Sequence, residues 1–157
     1  MLDEPVDDRR LEKYFGQASG YILRRARSRH EMLSYMKQRE WPEEVRGAVV
    51  ERLERSGLLD DHEFARRWVA DRQALRPRSR RELEQELRVK GVEKSVVEEV
   101  LLELPDAVEL EAVQSLIAKK RRTNRYSDIQ LKNWLLRKGF DWRLVQKALS
   151  SDEEPRI

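Results

Sequence analysis

The residues best able to do covalent or metal chemistry are few. The chain has two histidines, His30 and His62, and no cysteine, so thiolate chemistry and disulfides are excluded. His62 stands in Asp60-Asp61-His62-Glu63, a run of types that could hold a cation. Acids also gather in the first turn of a helix, where the partial positive charge of the free N–H groups favours them. That second reading fits the run better, and no metal is assigned. His30 has no partner near it in sequence. Carboxylates are plentiful but spread over helix-type segments, and no pair stands out as an acid and a base. The chain contains no phosphate-binding glycine loop, dinucleotide turn, nucleophile elbow or zinc-ligand spacing. It reads as a non-enzyme with no cofactor.

What the chain does offer is charge. Charged residues make up 40% of it, and the net charge of +3 hides their arrangement. Acidic ends (Asp3, Glu4, Asp7 and Asp8; Asp152, Glu153 and Glu154) flank three basic clusters. These are Arg24, Arg25, Arg27 and Arg29; Arg76, Arg78, Arg80 and Arg81; and Lys119, Lys120, Arg121, Arg122 and Arg125. Such clusters suit polyanions or acidic protein surfaces. Trp134, close to Arg137, Lys138 and Arg143, is expected to be an exposed contact anchor. Tyr126 and Trp142 also break the repeat pattern described next.

The clusters recur because the segments carrying them recur. Ser79-Arg-Arg-Glu82-Leu83, with Leu87, Lys90, Gly91 and Val92, overlays Ser28 onward at a shift of 51 residues and Ser127 onward at a shift of 48. Each copy opens with a serine followed three residues later by Glu31, Glu82 or Gln130, the capping box of a helix start. Apolar pairs at i, i+4 (Met32 and Met36, Leu83 and Leu87, Leu131 and Leu135) share a helix face. Arg39, Lys90 and Lys138 suit the negative helix end, and Gly91 and Gly139 suit a left-handed cap. Glu40 replaces that glycine in the first copy, which predicts a weaker or differently shaped cap there. A further helix follows, with Val45, Val49 and Leu53, with Val96, Val100 and Leu104, or with Leu144 and Ala148 facing inward.

Each copy is preceded by a leading helix. Ala112, Val113, Leu116 and Ile117 repeat Phe64, Ala65, Trp68 and Val69, while Tyr14, Phe15, Ala18, Tyr21 and Ile22 lead the first copy. The reading is therefore all-α: three tandem three-helix repeats forming an elongated, curved helical body. A flexible acidic leader spans 1–12, the repeat units span 13–57, 58–104 and 105–150, and an acidic tail spans 151–157. With 39% hydrophobic residues, thin helix–helix seams are expected instead of one large core. No signal peptide and no apolar run of membrane-spanning length is present, so a cytoplasmic protein with no membrane partner is expected.

Three segments resemble a known family. Gly57-Leu-Leu-Asp-Asp-His-Glu-Phe64-Ala65 looks like the G-Y-L-D-D-x-x-F-A junction of the RecX regulatory proteins. Arg25-Ala-Arg-Ser28-Arg-His-Glu31-Met32 resembles their R-x-R-S-x-x-E-L, and Glu86-Leu-Arg-Val-Lys90-Gly91-Val92 their E-L-x-x-K-G-I. The resemblance implies a modulator, usually an inhibitor, of the RecA recombinase. Such a protein lies in the groove of the filament RecA forms on single-stranded DNA. It limits filament extension and depresses strand exchange, ATP hydrolysis and co-protease activity. Expected partners are the RecA filament and single-stranded DNA, with duplex DNA as a further target, met by a monomer. The binding candidates are the three clusters together with Trp134 and Lys138. Two rival readings are a helix–turn–helix reader of duplex DNA and a helical scaffold for another partner. The first is disfavoured because Glu93, Glu98, Glu99 and Glu103 make the would-be reading helix acidic.

Overall fold

Each capping box forms as the spacing predicts. Ser28, Ser79 and Ser127 accept from the backbone N–H of Glu31, Glu82 and Gln130, whose side chains accept in return from the serine N–H. These boxes start the second helix of each of three units in a computed structural model that describes residues 7–123 and 125–151. Nine helices lie among the described residues, with no strand. The first unit contains α1 (Asp8–Arg24), α2 (Arg29–Gln38) and α3 (Glu43–Arg55). The second contains α4 (Asp61–Leu75), α5 (Arg80–Val89) and α6 (Lys94–Leu102), and the third α7 (Asp106–Arg121), α8 (Asp128–Lys138) and α9 (Trp142–Ser151). None of them is long and apolar enough to cross a membrane.

Each unit carries its own core. Met32, Met36, Val45, Val49 and Leu53 close the first, Leu83, Leu87, Val97 and Val100 the second, and Leu131, Leu135, Val145 and Ala148 the third. Helix pairs in extensive contact all lie within one unit, so the body is a series of small cores and not one globule. The inner faces of α6 and α9 differ by one position from the sequence expectation. Val97, Val100 and Leu101, and Val145, Ala148 and Leu149, are buried, while Val96, Leu104 and Leu144 only pack at the margin. Val97 adjoins Val96 and Val145 adjoins Leu144, so two overlapping stripes fit the same sequence there.

Two further expectations need correction. Residues 8–12, read as flexible leader, are the first turns of α1, because Asp7 caps the N–H of Arg9 and Leu11 packs on the first core. Residues 1–6 and the acidic Asp152, Glu153 and Glu154 lie outside the described residues. The Glu40 turn is not differently shaped. Glu40 adopts a left-handed φ of 55°, and Trp41 N–H bonds the Met36 carbonyl as Val92 N–H bonds that of Leu87.

The repeat's signature residues turn out to build the joints between units. Ser28 Oγ donates to the Lys90 carbonyl of the next unit at 2.6 Å, and Ser79 Oγ donates to the Lys138 carbonyl at 2.5 Å. The capping-box acids reach the same places: Lys90 Nζ is 3.9 Å from Glu31, and Lys138 Nζ is 3.8 Å from Glu82. Serine and acid of one unit thus seat the Lys-Gly turn of the next. This accounts for the two exceptions in the repeat. Among the described residues no unit presses on Glu40 from before, and none follows for Gln130 to bond. Ser28 and Ser79 are wholly buried, whereas Ser127 is exposed.

The serines therefore differ in weight. Ser79→Ala removes a cap and leaves the part-buried Lys138 carbonyl without its donor, an expected loss of about 2–4 kcal/mol. Ser127→Ala removes only an exposed cap and should cost about 0.5–1 kcal/mol. Urea unfolding followed by circular dichroism measures both, and equal losses would contradict the joint.

Candidate polyanion-binding surface

The joints consume much of the charge that the sequence offers for binding. Arg80 lies under the second joint. Its guanidinium donates to the Leu101 and Leu104 carbonyls at 3.2 and 2.9 Å, to Glu109 at 2.7 Å and to Asp106 at 3.1 Å. Arg29 holds the corresponding place at the first joint, with Nε 3.0 Å from Glu54 and its backbone N–H 2.8 Å from Asp61. Burial there raises the Asp61 carboxyl above its usual range, and the Arg29 N–H partly offsets this. Arg27 stacks 4.1 Å over Tyr21 and lies 3.8 Å from Glu31. Arg78 sits between Glu82 and Glu86 at 3.7 and 3.3 Å. Arg121 pairs with Asp128 at 2.7 Å. These five are chiefly structural.

Of the remaining candidates, Lys138 faces Glu82 in the second joint, and most of the others are open to a partner. Arg24, Arg76, Lys119, Arg122 and Arg125 are exposed, and none has a carboxylate partner among the described residues. Arg25 is exposed while reaching Glu31 at 3.4 Å. Arg81 is exposed too, with one N–H on the Arg137 carbonyl. Arg76, Lys119, Lys120 and Lys138 line one cleft of about 730 Å³. Its one wall is the end of α4 and the following turn (Leu75, Arg76, Pro77), and its other is α7 and α8 of the third unit. Among the described residues no acid lines it.

Trp134 stands in this cleft, but not as the exposed anchor the sequence suggests. It is half-buried against the third core, with Lys120 Nζ 4.6 Å and Lys138 Nζ 5.3 Å from its ring centre. The exposed tryptophan is Trp142, at 56%. Lys120 Nζ is also 4.8 Å from the Tyr126 ring, so one ammonium serves two aromatic faces. Cation–π attraction holds such an arrangement without any carboxylate.

The same groove between leading and second helix occurs in each unit, filled differently. In the second unit Trp68 occupies it under Arg72 and Lys90, and Glu86 neutralises the site, accepting the indole N–H at 2.8 Å and lying 3.4 Å from Arg72. In the first, Tyr21 and Tyr35 stack directly at 3.8 Å between ring centres, under Arg27 and Arg39. Sequence reading passed over Tyr21, Tyr35, Arg39 and Arg72 as groove residues. The available signal was that Arg39, Lys90 and Lys138 align in the repeat. It was assigned wholly to the helix dipole.

A sequence model of the first three-helix domain of RecX matches residues 15–53, and one of the second three-helix domain matches residues 60–101. The regulatory protein RecX of Streptomyces coelicolor is 35% identical over 137 residues, covering 82% of this chain and 73% of that protein. The chain belongs to the RecX family. RecX of Mycolicibacterium smegmatis is 32% identical over 89% of this chain and 84% of its own length. The fold agrees with that of the RecX crystal structure from Lactobacillus salivarius, with a TM-score of 0.80 over 90% of this chain and 95% of that one at 19% identity. RecX proteins are named as regulatory proteins, which agrees with a chain whose polar residues are spent on joints and charge.

Proposed function

We propose that this chain regulates a RecA recombinase by binding the filament that RecA forms on single-stranded DNA, limiting its extension and activity. The observation that carries this reading is the cleft, lined by no acid among the described residues, that joins Arg76 of the second unit to Lys119, Lys120 and Lys138 of the third. A polymer of phosphates or a row of acidic protomers meets such a surface over several units at once, and linked weak contacts add through effective concentration. The protein acts as a monomer in the cytoplasm without catalysis of its own. Its effects are on strand exchange, ATP hydrolysis and co-protease activity. Duplex readout by the third helices is the weaker reading. Glu98, Glu99 and Glu103 line the exposed side of α6, where they pair with Lys94, His62 and Arg66.

The test is RecA ATP hydrolysis on single-stranded DNA titrated with this protein. Inhibition that saturates supports the reading, and no effect at any ratio refutes it. A variant with Lys119, Lys120 and Arg122 reversed to glutamate, keeping Arg121 on Asp128, should bind the filament at least tenfold more weakly. It should also show a salt dependence shallower by about two to three phosphate contacts. Unchanged inhibition by that variant, with helicity intact, would remove the cluster from the binding surface.

A further inference from the structure

We infer that the space between Tyr126 and Trp134 is a stacking subsite for one unpaired base of single-stranded DNA. This rests on the proposed reading for the identity of the polymer. The argument comes from comparing three equivalent grooves. In the first unit the two tyrosines lie on each other with their rings 17° from parallel, so no ring can enter. In the second, Glu86 fills the place and supplies a carboxylate that would repel a phosphate. In the third the acid's position is taken by Trp134, and the ammonium of Lys120 lies 4.8 Å from the Tyr126 ring centre and 4.6 Å from that of Trp134. The described residues offer Lys120 no carboxylate to hold it there.

A face that attracts a cation also accepts the π surface of a base, and stacking on an aromatic side chain is how unpaired bases are held without sequence preference. Lys120 is on a flexible stem, so it can withdraw from between the rings to the phosphate of the entering nucleotide. Gln130 and Arg137 lie at the rim of the adjoining pocket of about 430 Å³, next to Tyr126 and Trp134. Their amide and guanidinium groups can meet a base edge and a second phosphate. Arg76 and Lys119 then continue the cationic path along the cleft. The groove thus serves a nucleotide in one unit only, while its two counterparts are closed by the protein itself.

The experiment compares binding of oligothymidylate with that of an abasic strand of equal length, using the full chain without RecA. Fluorescence anisotropy gives affinities, and tryptophan emission reports stacking. The wild-type chain should bind oligothymidylate roughly 5- to 100-fold more tightly than the abasic strand, with quenching of its emission by the former alone. Trp134→Leu and Tyr126→Leu should each reduce that preference, and Trp134→Phe should retain most of it. Tyr126 is exposed, so its variant keeps the test valid if the Trp134 variant proves poorly folded. Equal affinity of the wild type for the two strands, or a preference unchanged in Tyr126→Leu, overturns the subsite. ATP hydrolysis by RecA separates the two claims. Inhibition without base preference refutes the subsite alone, while base preference without inhibition refutes the filament reading and leaves the subsite standing.

Discussion

Replacing Arg80 by alanine should destabilise the protein by roughly 3 kcal/mol or more, although Arg80 belongs to a cluster whose type suggests binding. Glu109 is 5% exposed, and the Arg80 guanidinium lies 2.7 Å from its carboxylate. Removing one partner of a buried ion pair typically costs about 3–5 kcal/mol, because the other charge stays buried and uncompensated. Arg80 is itself about a third open to solvent, which places the expectation near the lower end of that range. The carbonyls of Leu101 and Leu104 lose a donor as well. Arg76→Ala, four residues away and exposed, should lie within about 0.5 kcal/mol of the wild type. Chemical unfolding distinguishes the two. If Arg80→Ala were as mild as Arg76→Ala and instead abolished filament binding, the assignment of these arginines to joint and surface would be reversed.

That contrast shows which part of the chain was legible in its sequence. The helices were, because their start and stop signals are local: a serine and an acid three apart, an i, i+4 apolar pair, a glycine after the last turn. The units were, because those signals recur at nearly constant shifts. The partners of the basic residues were not. Arg80 meets Glu109 across 29 residues and Ser79 meets the Lys138 carbonyl across 59, and no periodicity within one unit encodes a contact between two. The cap serines and terminal lysines therefore looked like helix punctuation, with their second use in the joints hidden. Trp134 stands out in the sequence because it breaks the repeat, yet its half-buried place depends on Leu116 standing where the second unit has Trp68. That exchange between helices is visible only once the grooves are superposed.

The strongest expected effect on the first joint comes from Gly91→Ala. Gly91 has φ of +77°, and a Cβ built there would lie 2.3 Å from His30 Cβ. Two costs are then combined, and related positions separate them. Gly57 has nearly the same φ, +76°, with nothing within 4 Å of its Cβ position, so Gly57→Ala should show the left-handed backbone cost alone, about 1–2 kcal/mol. Glu40 at φ 55° shows that this conformation is tolerable where no neighbour presses on it. At Gly91 the obstacle is the stem of His30, fixed on the first turn of α2, so no rotamer change relieves it. The joint must open by more than 1 Å to reach ordinary contact, which disturbs the Ser28 bond to the Lys90 carbonyl and the approach of Lys90 to Glu31. Overpacking of this kind adds about 1–3 kcal/mol, giving roughly 2–5 kcal/mol for Gly91→Ala in all. The steric share should be conditional on His30. In a His30→Gly background, Gly91→Ala should fall back to the cost seen at Gly57, and the coupling between the two substitutions measures the joint directly. Strict additivity of the pair would show that the first and second units do not press on each other at this turn.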